Sequence, residues 1–572
     1  MKLGSGGQSS KYFRLFLIIW ALLNLVQAGL TPINNDEAYY WMYSNYPAWG
    51  YFDHPPMIAL MIRVGYALSH TELGVRLFTV ISELIALAII WSLTDEEKRN
   101  KDKSAIVFVL LAVILPVINI FGFIATPDSP LLLFSTIFLL LYKRFLNDES
   151  VKNTLLLGLV MSALVYSKYH GALLIILIIL SNLKLLKSHR FWLASILALL
   201  IFLPHIYWQF SNGFPSLRYH LVDRVGGFNP GNIPEYLLNL LLIHNPLILP
   251  LALWFVFAKN QTGIFDRGLR FIFAGFVIFF LGQSIRYHIE PQWTAVICIP
   301  MIIILFNNID INSRQGVFLK GVAIFFIPLL LIARTAFIFD FLPVGYLKKE
   351  YHNNEKRAKE IGKIAGDRPV IFTNSYQDPS EYTFYTGKFA TTLNNLNYRR
   401  NQYDIWNFEE QVHGREVLYL PHYLNDYITE NFSKEKLSYG DSVYVTVISD
   451  FQSLQKECVI LEDEIYSFSR NAENTIPLKI VNPYPFPVKL NHPVLPVVFQ
   501  IAFLKNGYRE AKINLELPPS IVELSVGDTL KVDCHFSLDD LTSGEYRIAI
   551  CSETGYLYDV YNSRFSLAKI KN

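Results

Sequence analysis

Charge is scarce in this sequence. Only 17% of its 572 residues are Asp, Glu, Lys or Arg, against about 25% in soluble globular proteins. The deficit is uneven. Long apolar runs crowd the chain before about residue 340, and the remainder has the composition of a soluble protein. One membrane part and one water-exposed part are therefore expected. A basic excess is lacking too: the net charge is +2, and no basic tract, finger or stacking motif speaks for a nucleic-acid partner.

Cysteine is equally sparse, with four residues and no CxxC or zinc spacing. That argues against a metal finger or a disulfide framework. Cys298 lies in an apolar run and reads as a small core residue. Cys534 and Cys551 lie in strand-like segments and would pair only in an oxidising compartment. No repeat or low-complexity tract is present. The first apolar stretch, Phe13–Leu30, is flanked by Lys11 and Arg14 but lacks a small-x-small cleavage pattern. It reads as a retained first helix and not as a signal peptide.

What the chain has in abundance is apolar runs. A bilayer core needs about 20 apolar residues per helix. Stretches near 13–30, 74–93, 104–123, 129–146, 154–168, 171–186, 191–209, 235–258, 270–285, 292–306 and 317–340 meet or approach this, giving about eleven spans. With the N-terminus in the cytoplasm, the inside loops collect 18 of the 25 Lys and Arg residues before residue 341. That bias fixes the orientation. An odd number of spans then sends the tail outside.

The same topology puts the unusual polar segments on one face: 34–56, 125–130, 167–171, the loop from Ser211 to Pro234, and 286–293. The inside loops are short and plainly basic, so function is expected to face outward. Glu83, well inside the second span, reads as a structural hydrogen-bonding group, although an intramembrane carboxylate is a functional candidate by default. The soluble region alternates helix-like and strand-like segments such as PVIFT and EVLYL, then turns to short β runs such as IPLKIV and EYRIAI. The expected organisation is a helical polytopic membrane domain at 1–345, an α/β unit at 346–457 and a β-sandwich at 458–572.

The first outer loop carries the most chemistry. Asn34-Asn35-Asp36-Glu37 follows directly on the first span, and adjacent carboxylates at a membrane surface repel each other and cost solvation. Tyr39, Tyr40, Trp41, Tyr43, Tyr46, Trp49, Tyr51 and Phe52 crowd the same loop. They suit an interfacial aromatic belt or stacking on sugar faces. Asp53-His54-Pro55-Pro56 closes it with a rigid acidic turn. Arg218, Arg224 and Arg286 are outer-side arginines, and guanidinium forks suit phosphate oxygens.

The run DEAYYW…WGYFDHPPMIALMI, with GVRL at 74–77, resembles the dolichyl-phosphate-mannose protein mannosyltransferase-like superfamily. That group includes the bacterial enzymes that move aminoarabinose onto lipid A. ATPDSPLLLF (125–134), SKYHGALL (167–174) and PHIYWQFSNGFPSLRYH (204–220) also match, so the likeness covers roughly residues 12–340. A fainter likeness continues in NSYQDPSEYTFYTG (374–387).

The resemblance implies a C-type glycosyltransferase fold and an inverting sugar transfer. Its partners would be a polyisoprenyl-phosphate sugar donor, membrane lipids, and a lipid, glycan or protein acceptor outside a bacterial inner membrane. A carboxylate must take the acceptor proton, and positive charge must stabilise the departing phosphate. Asp36 matches the family's catalytic acidic position. Glu37 is the second choice or a supporting carboxylate. Asp128 matches a further acidic position, although Thr126-Pro127-Asp128 also reads as a helix start. Lys168 matches a lysine that contacts the donor phosphate in the lipid A branch, although a lysine at a span end also snorkels.

Asp53 and His54 stand where that branch has Glu-Lys. The change removes a permanent charge and leaves His54 as a neutral donor or a metal ligand. His244 resembles the histidine that pairs with the acidic residue around a metal there. Asp53 with His244 is thus the implied site for a divalent ion, the one cofactor the resemblance suggests. A rival class is a non-enzymatic transporter or flippase of lipid-linked sugars. Such proteins place ionisable residues at the midplane and show matching halves, and neither feature is visible here.

Overall fold

The computed structural model describes residues 8–220, 227–259, 263–395, 398–422, 431–505, 508–538, 541–555 and 558–571. The chain divides into two compact units, Met1–Asn354 and Glu355–Asn572.

Unit 1 is helical, as apolar chain in lipid must be, because a helix satisfies every backbone N–H and C=O within its own segment. The segment that carries Asp36 and Asp53 runs from α1 (Gln8–Leu30) through α2 (Asn35–Asn45) and α3 (Met57–Leu68) to α4 (Glu72–Leu93). Large apolar side chains stay exposed along the long helices, among them Ile18, Leu22, Leu199, Leu203, Ile324 and Phe325. Apolar surface on this scale marks contact with lipid. Inside, Phe13 stacks on Trp91 at 4.6 Å between ring centroids, and Phe108 meets both rings edge-on.

Helices occupy every stretch expected to span. Among the described residues, six helices are long and apolar enough to cross a membrane: Gln8–Leu30, Glu72–Leu93, Asp128–Asn147, His189–Ser211, Pro291–Asn308 and Arg314–Ile338. A bent pair, Asn232–Ile243 with Ile248–Ala258, makes seven if it is counted as one span. Two of the other stretches are interrupted within the apolar run. The stretch 104–123 breaks at Leu115, held extended before Pro116, and 171–186 stops as a helix at Ser181. The bent pair turns by 97° at a break containing Asn245-Pro246.

These breaks free backbone carbonyls, and asparagines recover them. Asn119 Nδ2 donates to Val113 O at 2.7 Å and Leu115 O at 3.1 Å. Asn245, in the left-handed region at φ 70°, donates to Ile114 O at 3.1 Å. The two interruptions therefore support one another within the apolar interior.

Unit 2 is mixed in its first part and all-β in its second. Parallel β1 (Val370–Thr373), β2 (Ala390–Leu393) and β3 (Val417–Leu420) are extended by antiparallel β4 (Ser433–Lys436) and β5 (Ser442–Ile448) in the order β2-β1-β3-β5-β4. All four residues of each parallel strand are buried. A six-stranded and a three-stranded sheet follow, and their inward side chains form one core around Phe468, Phe503, Phe536 and Tyr546. Cys534 lies on the three-stranded sheet and Cys551 on the six-stranded one. All four cysteines are buried free thiols.

Candidate active site

The first turn of α2 sets the two adjacent carboxylates in different environments. Asn34 caps the helix: its Oδ1 accepts the Asp36 N–H at 2.9 Å, and its own N–H donates to Glu37 Oε2 at 3.0 Å. This reciprocal box fixes the chain direction as it leaves α1. Glu37 points into the bundle and is fully buried. Arg76 of α4 grips it through Nε on Oε1 at 2.7 Å and Nη2 on Oε2 at 2.5 Å, while the Ala125 N–H donates to Oε1 at 2.7 Å. Arg76 also donates to the carbonyls of Ala28, Thr31 and Pro32. With both oxygens engaged, Glu37 anchors three segments and is not placed to take a proton from a substrate. Asp36, one residue earlier, is only half-buried.

Asp128 and Lys168 meet. Lys168 Nζ lies 2.7 Å and 2.8 Å from the two Asp128 oxygens, and both side chains are buried. Asp128 opens the helix Asp128–Asn147, as the helix-start reading expects. Lys168 follows the helix Val151–Ser167 in extended conformation. The pair joins the start of one helix to the end of another with one positive and one negative charge.

Asp53 accepts hydrogen bonds from the hydroxyls of Tyr39 and Tyr43, each at 3.2 Å. His54 meets Tyr40 edge-on at 5.7 Å. Most of the aromatic loop is core and offers no open stacking platform: Tyr39, Tyr40, Trp41, Tyr43, Tyr51 and Phe52 are buried, with Tyr51 stacked on Tyr43 at 4.1 Å. Only Tyr46 and Trp49 stand exposed among the eight. Trp49 lines an apolar groove of about 440 Å³ with Pro47, Tyr51, Pro56, Leu60 and Tyr166.

The other candidates are more dispersed. His244 is buried and pairs its Nε2 with Thr294 Oγ1 at 3.1 Å. Asp53 and His244 thus have separate partners, and among the described residues no group of three or more His, Cys, Asp or Glu side chains could hold a metal. Arg218 and Arg286 are exposed. Arg224 lies outside the described residues. Glu83 accepts from Trp20 Nε1 at 3.0 Å and Asn24 Nδ2 at 2.7 Å, deep in the bundle.

Sequence reasoning missed two groups. The first is a buried polar chain behind the aromatic loop. His205 pairs with Trp49 O at 2.8 Å and Tyr169 Oη at 3.0 Å, and Gln209 donates to Tyr169 Oη and Ser216 Oγ. Ser216 Oγ reaches back to Phe52 O at 2.8 Å. The polar letters inside the apolar motif PHIYWQFSNGFPS were its signal. The second is Glu350 and Tyr346, beyond the last long helix. Burial raises the Glu350 carboxyl first, and the Asp36 charge raises it further. Tyr346, whose ring stands exposed, has Glu350, Asp36 and Glu290 acting on its hydroxyl. Nothing local in the sequence pointed to them.

Residues 53–208 match the family described as dolichyl-phosphate-mannose-protein mannosyltransferase. No curated protein sequence matches the chain. Among solved structures, ArnT from Cupriavidus metallidurans bound to undecaprenyl phosphate superposes with a TM-score of 0.57 at 14% identity, covering 78% of this chain and 100% of that one. The apo form of the same protein gives 0.55 at 13% identity, covering 78% and 99%. At such identity the likeness is one of fold. This multi-pass membrane protein therefore carries a dolichyl-phosphate-mannose-protein mannosyltransferase signature over residues 53–208, on the fold of ArnT.

Proposed function

We propose that the protein is an inverting glycosyltransferase. It moves a sugar from a polyisoprenyl phosphate to a lipid, glycan or protein acceptor on the periplasmic face of a bacterial inner membrane. The observation that carries this reading is the division of labour at the start of α2. Glu37 is fully engaged by Arg76 and Ala125, while Asp36 is held half-open by the same cap. A carboxylate fixed by a capped helix and still half-exposed suits proton abstraction from a hydroxyl.

In the proposed step the acceptor oxygen attacks the anomeric carbon as its proton passes to Asp36. The bond from that carbon to the phosphate oxygen breaks, and the lipid phosphate leaves with the electron pair. Lys168 supplies positive charge for the departing phosphate, with Arg218 and Arg286 as further donors. The Asp128 partner holds Lys168 oriented before the donor arrives. The groove beside Trp49 and Leu60 suits the isoprenoid chain, because it is apolar and of ligand-site size.

Asp53 and His244 remain the residues that would hold a divalent ion. The Asp53 carboxylate is already bonded to two tyrosines, and His244 is bonded to Thr294. Among the described residues no group of three or more His, Cys, Asp or Glu side chains completes such a site, and no step is routed through an ion.

The test is transfer by purified protein from a panel of polyisoprenyl-phosphate sugars with no nucleotide sugar present. Product formation supports the reading. Strict dependence on a nucleotide sugar refutes it.

A further inference from the structure

The segment after the last long helix returns onto α2. Gly345–Leu347 is one helical turn and runs into a π-helical turn at Lys348–His352. Such turns are rare and recur at functional sites. This one is pinned at several points. His352 Nε2 pairs with Ala336 O at 2.9 Å. Tyr351 is buried in a cluster with Ala28, Val80, Phe123 and Ile124, its ring edge-on to Phe337 at 5.0 Å. Asn354 Nδ2 donates to Asn35 Oδ1 at 2.9 Å and to Glu350 O at 3.1 Å. Asn34 Nδ2 donates to Glu350 Oε2 at 3.5 Å, while Asn34 Oδ1 holds the Asp36 N–H. One amide therefore ties Glu350 to the turn that carries Asp36.

We propose that Glu350 is a positioning residue for Asp36: through Asn34 it fixes the first turn of α2, and its carboxylate makes Asp36 a stronger base. The proposal rests on Asp36 being the general base. The groups around the pair agree in sign. Glu350 is faced by Asp36, Asn34, Tyr346 and Lys349, Tyr346 by Glu290, and Tyr351 by Glu37 and Arg76. Lys349 is the one cation acting on Glu350 among these, and with Asn34 it does not overcome burial and the Asp36 charge, which hold the Glu350 carboxyl above its ordinary range. Two carboxylates so placed each favour the other's protonated form. The pair then releases its protons in two coupled steps, the second at higher pH than a lone carboxylate. A base of higher proton affinity serves better near neutral pH.

The test needs no substrate. Full-length protein in nanodiscs is treated with dicyclohexylcarbodiimide, which labels protonated carboxyls, and labelling of the Asp36 peptide is followed by mass spectrometry from pH 4 to 8. In the native chain the midpoint should lie above the ordinary aspartate value of about 3.9. Glu350→Gln keeps the acceptor for Asn34 and removes the charge. Its midpoint should fall toward the ordinary value, with labelling at pH 6 correspondingly slower. Glu350→Asp should restore it. Equal midpoints in the native chain and Glu350→Gln overturn the proposal. An ordinary midpoint in the native chain overturns it too, even if the variant fails to fold. Turnover of Asp36→Asn is scored separately. If it matches the native rate, the base assignment fails and the positioning role fails with it, whereas loss of turnover with unmoved labelling sinks the positioning role alone.

Discussion

Glu37 and Arg76 form an ion pair from which water is wholly excluded, two hydrogen bonds wide, between α2 and the second turn of α4. Removing one partner of a buried pair leaves an uncompensated charge and costs about 3–5 kcal/mol. Arg76→Met and Glu37→Leu should therefore each lower the thermal unfolding temperature in detergent sharply. The double variant should be less damaged than the sum of the two, because neither charge is then stranded. Simple additivity would show that the pair does not act as a unit.

Lys168 and Asp128 have a different expected phenotype. Lys168→Ala removes a charged donor for the lipid phosphate, and a hydrogen bond to a charged group contributes about 1.5–3 kcal/mol. Undecaprenyl phosphate should bind at least tenfold more weakly, as read by the ligand-induced shift in unfolding temperature. Unchanged binding would leave Lys168 as a purely structural partner of Asp128.

Gly122 lies against Glu83. A Cβ at position 122 would sit 2.3 Å from Glu83 Oε2, so Gly122→Ala pushes the Glu83 carboxylate off Trp20 and Asn24. Overpacking of this kind costs about 1–3 kcal/mol. The loss should appear as a lower unfolding temperature and should be partly relieved by Glu83→Ala in the same chain. An unchanged unfolding temperature would mean the contact yields without strain.

Orientation is testable without any substrate. Alkaline phosphatase is active only outside the cytoplasm. A fusion after residue 345 should be active and one after Asn100 inactive, in keeping with the loop-charge bias. The reverse pattern would move the proposed site to the other face.

The membrane part was legible because apolar runs are a one-dimensional signal. Where those runs break was harder to read. Pro116 and Pro246 mark breaks, but the asparagines that satisfy the freed carbonyls do so across the bundle, as Asn245 does with Ile114. The site was legible as a set of letters and not as a set of pairs. Asp36 and Glu37 stand out together, yet which of them stays accessible depends on Arg76, 39 positions away. Asp128 and Lys168 are 40 apart, and Asn34 and Glu350 are 316 apart. The aromatic loop misled in the other direction. Its composition suits a sugar-stacking surface, but Tyr51 stacked on Tyr43 spends those rings on holding the loop itself.

The most direct measurement is turnover and donor affinity of Asp36→Asn beside the native chain. Asparagine keeps the size and the Asn34 cap but cannot take a proton. A general base contributes about 10²–10⁴-fold in rate. The variant should fold with the native unfolding temperature, bind undecaprenyl phosphate nearly as well, and lose turnover by that factor. Near-native turnover in a correctly folded Asp36→Asn would contradict the proposed role of Asp36, and with it the reading of the α2 turn as the catalytic centre.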